Sequence, residues 1–474
     1  MIEVNPEYAN DVRYENGKKV LYVQILKALY GMIESALLWY TLYVDVLQKE
    51  GFEVNPYDKC VANKTIDGKQ CTIAWYVDDN IVSHVEQEAI EGVINTIEGY
   101  FPGLVIERGN TLNFLGMEIE FKDNKKFGLS LVKYITNMIE ELEELLKKFG
   151  ENLDRSYAHP ASKDLFTIND NTKKLTEEKA DIYRTFVAKI LWTEKRGRPD
   201  VEPTMSFLCT RVKEPDKDDW HKFKRLCCFL KQTKNDVRII GADDLLNMLV
   251  MIDSAHAVHK DMRGHTGGIT SFGTGIIDQK SSKQRMNTRS STEAEHVGTS
   301  EYLPKPIFFE LFMEAQGYKP NITLAKDNES EIRMLLNGKE SCTANSKHVA
   351  IKYFWSTDRI KQGKMKVKYC PTEKMLADFM SKPLQGSLFQ KFRNVLMGWA
   401  HIDTLFEHFT SNEERVENIT DNGDLTVEEK ELSRPSPKQT YADIVKSSKA
   451  VELQNELILN GIDPTDQISK LSLI

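Results

Sequence analysis

Apolar and polar positions alternate with two different periods along this chain, and the period changes several times. SALLWYTLYVDVLQKEGF (35–52) carries apolar residues at helical spacing and predicts a helix ending at Gly51. CTIAWYV and NIVSHV predict two strands, joined at Asp78–Asp79, and FLGMEIEF (114–121) predicts another. KVLYVQILKALYG (19–31) reads as a strand followed by a turn or helix start. YITNMIEELEELLKKFG (134–150) puts Ile135, Met138, Ile139, Leu142, Leu146 and Phe149 on one helix face, with Gly150 as a C-cap. Further helices are expected around 179–196 and 218–232, so 126–244 reads as mostly helical. From 245 the texture changes. LNMLVMIDSA, GGITSFG and GIIDQKS predict three strands, and STEAEHVGTSEYL begins a helix that Pro304 and Pro306 should stop near 303. ITLAKDN, ESEIRMLLNG, KMKVKYCP and EKMLADFM then read as strand, helix, strand and helix. The Gly-rich GHTGGITSFGTG (264–275) lacks GK[ST] and a following helix, so hairpin turns are expected there rather than a phosphate loop.

Composition leaves this picture standing. The chain has 474 residues, enough for two to four domains at roughly 100–200 residues each. It is 41% hydrophobic and 28% charged, with no apolar run near the ~18 residues of a membrane span and no secretory start. Seven scattered cysteines without a CxxC argue against a disulfide framework or zinc site and for a reducing compartment. Net charge is −8 but uneven. Residues 411–474 hold 13 acidic and 7 basic residues, and with PSPKQT and few aromatics they read as a disordered acidic tail. Residues 187–240 hold 13 basic and 8 acidic residues; KRGRPD (195–200) and HKFKRL (221–226) either track a phosphate backbone or form a solvated helix face.

Four acids in the 245–385 region stand at element ends: Asp253 interrupting a strand, Glu293 opening a helix, Asp327 ending a strand, and Asp378 in an apolar helix. Converging, they would repel one another unless a divalent ion such as Mg²⁺, or Mn²⁺, neutralised them. Two ions about 3.5–4 Å apart would suit phosphodiester cleavage.

The stretches DSAHAVHKDMRGHTGGITSFG, KSSKQRMNTRSSTEAEHVGTSEYL, KDNESEI, SKHVAIKYFW and CPTEKMLADFMSKPLQG resemble the ribonuclease H domain of copia-type LTR retrotransposon polyproteins. LYVQILKALYG…WY, YVDD, FLGMEIEF and RPDVEPTMSFLCTRVK are similar to the reverse transcriptase of the same elements, so the resemblance spans roughly 1–395. It implies an α/β and α+β multidomain chain: a partial reverse transcriptase palm (1–125), a helical thumb and connection (126–244), a ribonuclease H-like βββαβαβα domain (245–395), and a largely disordered tail (396–474). It also implies two Mg²⁺ ions held by Asp253, Glu293, Asp327 and Asp378, with Glu293 near the 2′-hydroxyl of the cleaved strand. Lys283, Arg289, Ser291 and His348 become candidates for gripping nucleic acid, with Ser282 beside them. His256, His296, Ala350 and Phe354 depart from the family's usual residues.

Asp78 and Asp79 correspond to a polymerase metal pair whose third Asp is expected upstream of this sequence; Asp11, Asp45, Asp58 and Asp67 lack the strand context to replace it. The implied activity is therefore Mg²⁺-dependent hydrolysis of the RNA strand of an RNA–DNA hybrid, with DNA synthesis incomplete. The implied partners are a hybrid or template-primer and other Pol products, with no membrane. The implied setting is a cytoplasmic virus-like particle or the nucleus. The rival readings are an inactive nucleic-acid-binding remnant and a decayed insertion with no stable product.

Overall fold

The computed structural model describes residues 6–22, 29, 32–122, 125–338 and 355–406. Ala350, Phe354, His348, most of LKALYG and the 411–474 tail lie outside the described residues. The chain divides after Val54 rather than near 125, into a unit containing residues 1–54 and a larger one spanning Asn55–Gly423.

In the first unit, β1 (Val12–Glu15) and β2 (Lys18–Leu21) form a hairpin over Asn16–Gly17. Both turn residues have positive φ (49° and 77°), the two-residue turn that Asn-Gly favours. Helix α1 (Ile33–Lys49) buries Tyr43, Val46 and Leu47. Gly51, at φ 82°, closes it as the spacing predicts, and its N–H donates to the Gln48 carbonyl. A two-residue strand, β3 (Glu53–Val54), follows.

The second unit opens with β4 (Val61–Ile66), β5 (Lys69–Tyr76) and β6 (Asp79–Ser83), an antiparallel meander. Period-2 alternation buries Cys71, Ile73 and Trp75 along β5. Then come α2 (Gln87–Tyr100), β7 (Thr111–Phe114), β8 (Met117–Lys122), β9 (Lys126–Ser130) and α3 (Val132–Lys147). The predicted apolar face of α3 is buried, apart from a partly buried Phe149 just beyond it. Next are α4 (Glu177–Arg196), α5 (Glu202–Thr210) and α6 (Lys217–Gln232), the last opened by an Asp216/Asp219 capping box. Strand β10 (Arg238–Ala242) follows. The 126–244 segment is thus not all helix: β9 and β10 pair with each other, Arg238 opposite Leu129, inside an antiparallel sheet. Strand β9 also hairpins with β8, while β10, whose partner β9 lies about a hundred positions away, carries little local strand signal.

A second five-stranded sheet carries the acidic residues. Its strands are β11 (Asn247–Ala255), β12 (His265–Ser271), β14 (Asp278–Lys283), β15 (Asn321–Lys326) and β16 (Met365–Tyr369), in the order β14-β12-β11-β15-β16. The short β13 (Gly273–Thr274) joins the other sheet through β10. Pairing is antiparallel among β14, β12 and β11 and parallel among β11, β15 and β16. Helices α7 (Ser291–Tyr302), α8 (Pro304–Ala315), α9 (Glu329–Asn337), α10 (Trp355–Lys361), α11 (Asp378–Ser381) and α12 (Gly386–Leu396) complete the unit. The helix break at Leu303 falls where the two prolines predict it.

Both faces of this sheet are covered. Val250 and Ile252 pack in one cluster with Tyr302, Leu303, Ile307 and Ile332. Met251 and Ile269 pack in another with Ile135, Phe186, Phe223, Phe379 and Phe389. That second cluster is continuous across the expected boundary at 244/245, and it takes in Ile402 and Leu405, beyond the expected start of the tail.

The glycine-rich stretch is only partly turns. Gly267 and Gly268 lie mid-strand in β12. A Cβ on Gly267 would sit 2.6 Å from the Ala377 carbonyl oxygen and 2.7 Å from the Ser381 nitrogen. On Gly268 it would sit 2.4 Å from the Tyr302 ring. The pair lets α11 close on one face of the strand and α7 on the other.

Candidate metal centre

Strands β11 and β15 are parallel neighbours, and each delivers a carboxylate at its C-terminal end. Asp253 is 2% exposed, and Asp327 follows the last residue of β15. The third member comes from the second turn of α7 and is Glu295, not Glu293. Ligand oxygens of Asp253, Glu295 and Asp327 all lie within 4.8 Å of one another.

Glu293 is used elsewhere. Ser290 caps α7 by accepting from the Glu293 N–H at 3.2 Å, and the Glu293 carboxylate accepts from the Arg289 N–H at 2.6 Å. This is the S-x-x-E pattern of a helix start, with the carboxylate turned back over the entering chain. Two residues on, at about 100° per residue, the helix presents its opposite side, and there Glu295 faces the sheet. The capping signature in SSTEAE was the available signal for separating the two glutamates.

Asp378 opens α11, with its carboxyl beside that of Asp253. The Ser381 hydroxyl donates to Asp253, and the Thr372 hydroxyl donates to Asp327 at 2.9 Å. Each fixes a carboxylate in place, as partners beyond a ligand shell do.

Two lysines, neither anticipated, stand among these acids. The Lys326 ammonium, wholly buried, lies 2.7 Å from Glu295 and 2.6 Å from Glu331. The Lys382 ammonium lies 2.8 Å from Asp378 and 3.3 Å from Asp253. Glu295 also accepts from the Ser254 N–H at 3.1 Å.

The electrostatics follow from this crowding. Burial first, then the neighbouring Asp253 and Glu331, push Glu295 up to about 8 against the pull of Lys326. Burial and the Asp253 charge push Asp378 up to about 7, and they raise Asp327 as well. Burial works against both lysine charges, yet Glu295 with Glu331, and Asp253 with Asp378, hold Lys326 and Lys382 above the ordinary ammonium value. Close carboxylates that resist losing their protons gain most from a cation. The donors are all carboxylate oxygens, with lone pairs left over, which suits a hard divalent ion such as Mg²⁺.

The other candidates scatter. Asp78 and Asp79 are exposed at the tip of the β5–β6 hairpin, with Tyr76 opposite Asp79. Val77 there has φ 56°, a costly conformation for a β-branched residue. No third carboxylate joins the pair among the described residues. Lys283 pairs with Asp261 at 2.7 Å, and Arg289 and Ser291 are exposed at the start of α7.

Most of the basic stripe is engaged within the fold. Arg198 is 1% exposed and clamps Asp200, Arg196 stacks on Trp192, and Lys222, Lys224 and Arg225 reach Thr167, Glu151 and His159. These charges hold the helices together, while Lys195 stays half-exposed beside Glu194 and Glu202.

Comparison with known proteins points the same way as the motifs. Residues 7–150 match the family described as reverse transcriptase (RNA-dependent DNA polymerase). The chain is 23% identical over 382 residues to the retrovirus-related Pol polyprotein from transposon TNT 1-94 of Nicotiana tabacum, covering 79% of this chain and 28% of that protein. It is 25% identical over 393 residues to the truncated transposon Ty1-A Gag-Pol polyprotein of Saccharomyces cerevisiae, covering 80% and 32%. The chain thus spans under a third of the length of these relatives. A crystal structure of the prototype foamy virus protease-reverse transcriptase aligns at 13% identity over 81% of this chain and 43% of that one, with a TM-score of 0.21, too low to bear on the fold. No helix among the described residues is long and apolar enough to cross a membrane.

Proposed function

The chain is a relative of copia-type retrotransposon Pol polyproteins, and from that premise we propose that it hydrolyses the RNA strand of RNA–DNA hybrids at the acidic cluster of its second sheet. The observation that carries this reading is the convergence of Asp253, Glu295 and Asp327 from three separate elements, with Asp378 beside them. The succession of three antiparallel strands, helices, and two parallel strands followed by the Asp378 helix supports it, because the ribonuclease H resemblance implies that order.

Asp253, Glu295, Asp327 and Asp378 would hold the Mg²⁺ ions. When bound, such ions supply a water-derived nucleophile at neutral pH and charge stabilisation for the leaving oxygen. The chain's own residues set up that chemistry. Ser381 and Thr372 orient Asp253 and Asp327, Lys326 fixes Glu295, and the packed sheet beneath keeps the carboxylates from spreading apart. Arg289 and Ser291, exposed at the start of α7, would touch a nucleic-acid backbone. A template-primer polymerase role is not assigned to Asp78 and Asp79, which no third acid joins among the described residues.

Cleavage of a labelled hybrid in Mg²⁺ or Mn²⁺ tests the reading, with Asp253→Asn as control. Wild-type cleavage that the variant loses by about 10²-fold or more supports it. No cleavage under either ion overturns it. The two resident lysines favour a second reading, an inactive remnant whose acids merely form internal ion pairs. Failure to bind divalent ions would establish that reading instead.

A further inference from the structure

We propose that Lys382 is an exchangeable internal counter-ion of the acidic site, giving up its place to a divalent cation, while Lys326 is a permanent one. The inference rests on the metal-site reading above and concerns what the site does before a cation arrives.

The two lysines differ in how they are held. The Lys326 side chain is wholly buried between Glu295 and Glu331, and both acids are themselves nearly inaccessible. Withdrawing it would leave two buried carboxylates facing each other with no route for the ammonium to reach water. Lys382 bridges Asp253 and Asp378, but its side chain is 39% exposed. It follows directly on the four-residue α11, so its long stem can carry the ammonium out to solvent without unpacking the sheet. The carboxylates are anchored independently of it: Asp253 by the Ser381 hydroxyl, and Asp378 by the packing of α11 on Gly267.

The charges make exchange reasonable. Asp253, Glu295, Asp327 and Asp378 lie together, and Lys326 is shared with Glu331. Without a divalent ion, Lys382 is the cation that keeps Asp253 and Asp378 from repelling each other. A divalent ion on the same oxygens meets that need more strongly, and the ammonium then competes with it. No bond forms or breaks, and the ammonium keeps its proton throughout. Lys382 is therefore a positioning residue: it preserves the ligand geometry in the metal-free protein and weakens metal affinity in return.

The test is titration of the full chain with Mn²⁺, followed by calorimetry and by the Mn²⁺ paramagnetic signal, on wild type, Lys382→Met and Lys382→Arg. Lys382→Met keeps the stem and removes the charge, and it should bind Mn²⁺ about tenfold more tightly at one site. Its melting temperature should fall in chelator and recover in Mn²⁺, whereas a merely structural lysine would leave it low in both. Lys382→Arg, whose planar fork grips two carboxylates more firmly, should bind Mn²⁺ more weakly than wild type. Equal or weaker binding by Lys382→Met, with wild type binding normally, overturns the exchange and leaves the metal site standing. No Mn²⁺ binding by wild type, indistinguishable from Asp253→Asn, overturns the metal site itself.

Discussion

At the scale of single residues, the site is a set of acids whose protonation is set by one another. Burial and the Asp253 charge raise Asp378 to about 7, and burial with Asp253 and Glu331 raises Glu295 to about 8. Both groups keep their protons to a higher pH in the folded chain than in the unfolded one. The metal-free protein therefore loses stability as pH climbs from the ordinary carboxylate range towards those values. The melting temperature in chelator should fall between pH 5 and pH 8, and less steeply in Asp378→Asn, which has no proton to lose. Equal slopes for the two proteins would remove Asp378 from the coupled set. Of the four acids at the candidate site, Asp253, Asp327 and Asp378 were legible as acids at element ends or within apolar context. Glu295 was not, because it shares a helix turn with a second acid, and only the Ser290 cap shows which of the two is spent on the helix start. Lys382 stands four residues after Asp378, a spacing the sequence did offer, whereas the reach of Lys326 to Glu295, 31 positions away on a helix, left no local signal.

At the scale of elements, glycine placement decides how closely helices approach β12. Gly267 carries α11 and Gly268 carries Tyr302 of α7. Gly267→Ala should push α11 outward and cost about 1–3 kcal/mol, as overpacking does. It should also weaken Mn²⁺ binding, because Asp378 and Ser381 move with that helix. Gly268→Ala should cost a similar amount against the Tyr302 ring with a smaller effect on binding, since no ligand rides on that contact. Denaturant melts beside Mn²⁺ titrations separate the two; equal binding losses would contradict the assignment. The periodicity of α3 could be read directly, because the pattern is local and repeats over several residues, and β11 stood out as a continuous apolar run. Strands β9 and β10 could not be read so, because each is five residues long and β10 is held by pairing with the distant β9 rather than by its own composition. Gly267 and Gly268 fell both in the predicted strand GGITSFG and in the stretch expected to hold hairpin turns, because a glycine between two packed helices and a glycine at a bend leave the same letter.

At the scale of the whole molecule, the expected boundary at 244/245 is not a boundary in the packing. Met251 and Ile269 share a cluster with α3, α4 and α6, and the Asp200 carboxylate, 0% exposed, is held by Arg198 and by Arg393 of α12. A fragment starting at 245 should therefore be insoluble or molten, whereas a chain keeping residues 126–406 should unfold in one transition. Arg393→Ala should cost about 3 kcal/mol by leaving Asp200 with a single buried partner; a loss below about 1 kcal/mol in a denaturant melt would contradict a shared core. Domain limits read from composition missed this, since sequence texture changes at 245 while the apolar surface runs on through it. The most direct measurement is cleavage of an end-labelled RNA in an RNA–DNA hybrid, with Mg²⁺, by wild type, Glu295→Gln and Glu293→Gln side by side. The expected result is cleavage by wild type, a loss of about 10²-fold or more in Glu295→Gln, and a change within a few-fold in Glu293→Gln. Loss in Glu293→Gln with Glu295→Gln active, or no cleavage by any of the three, would contradict the account.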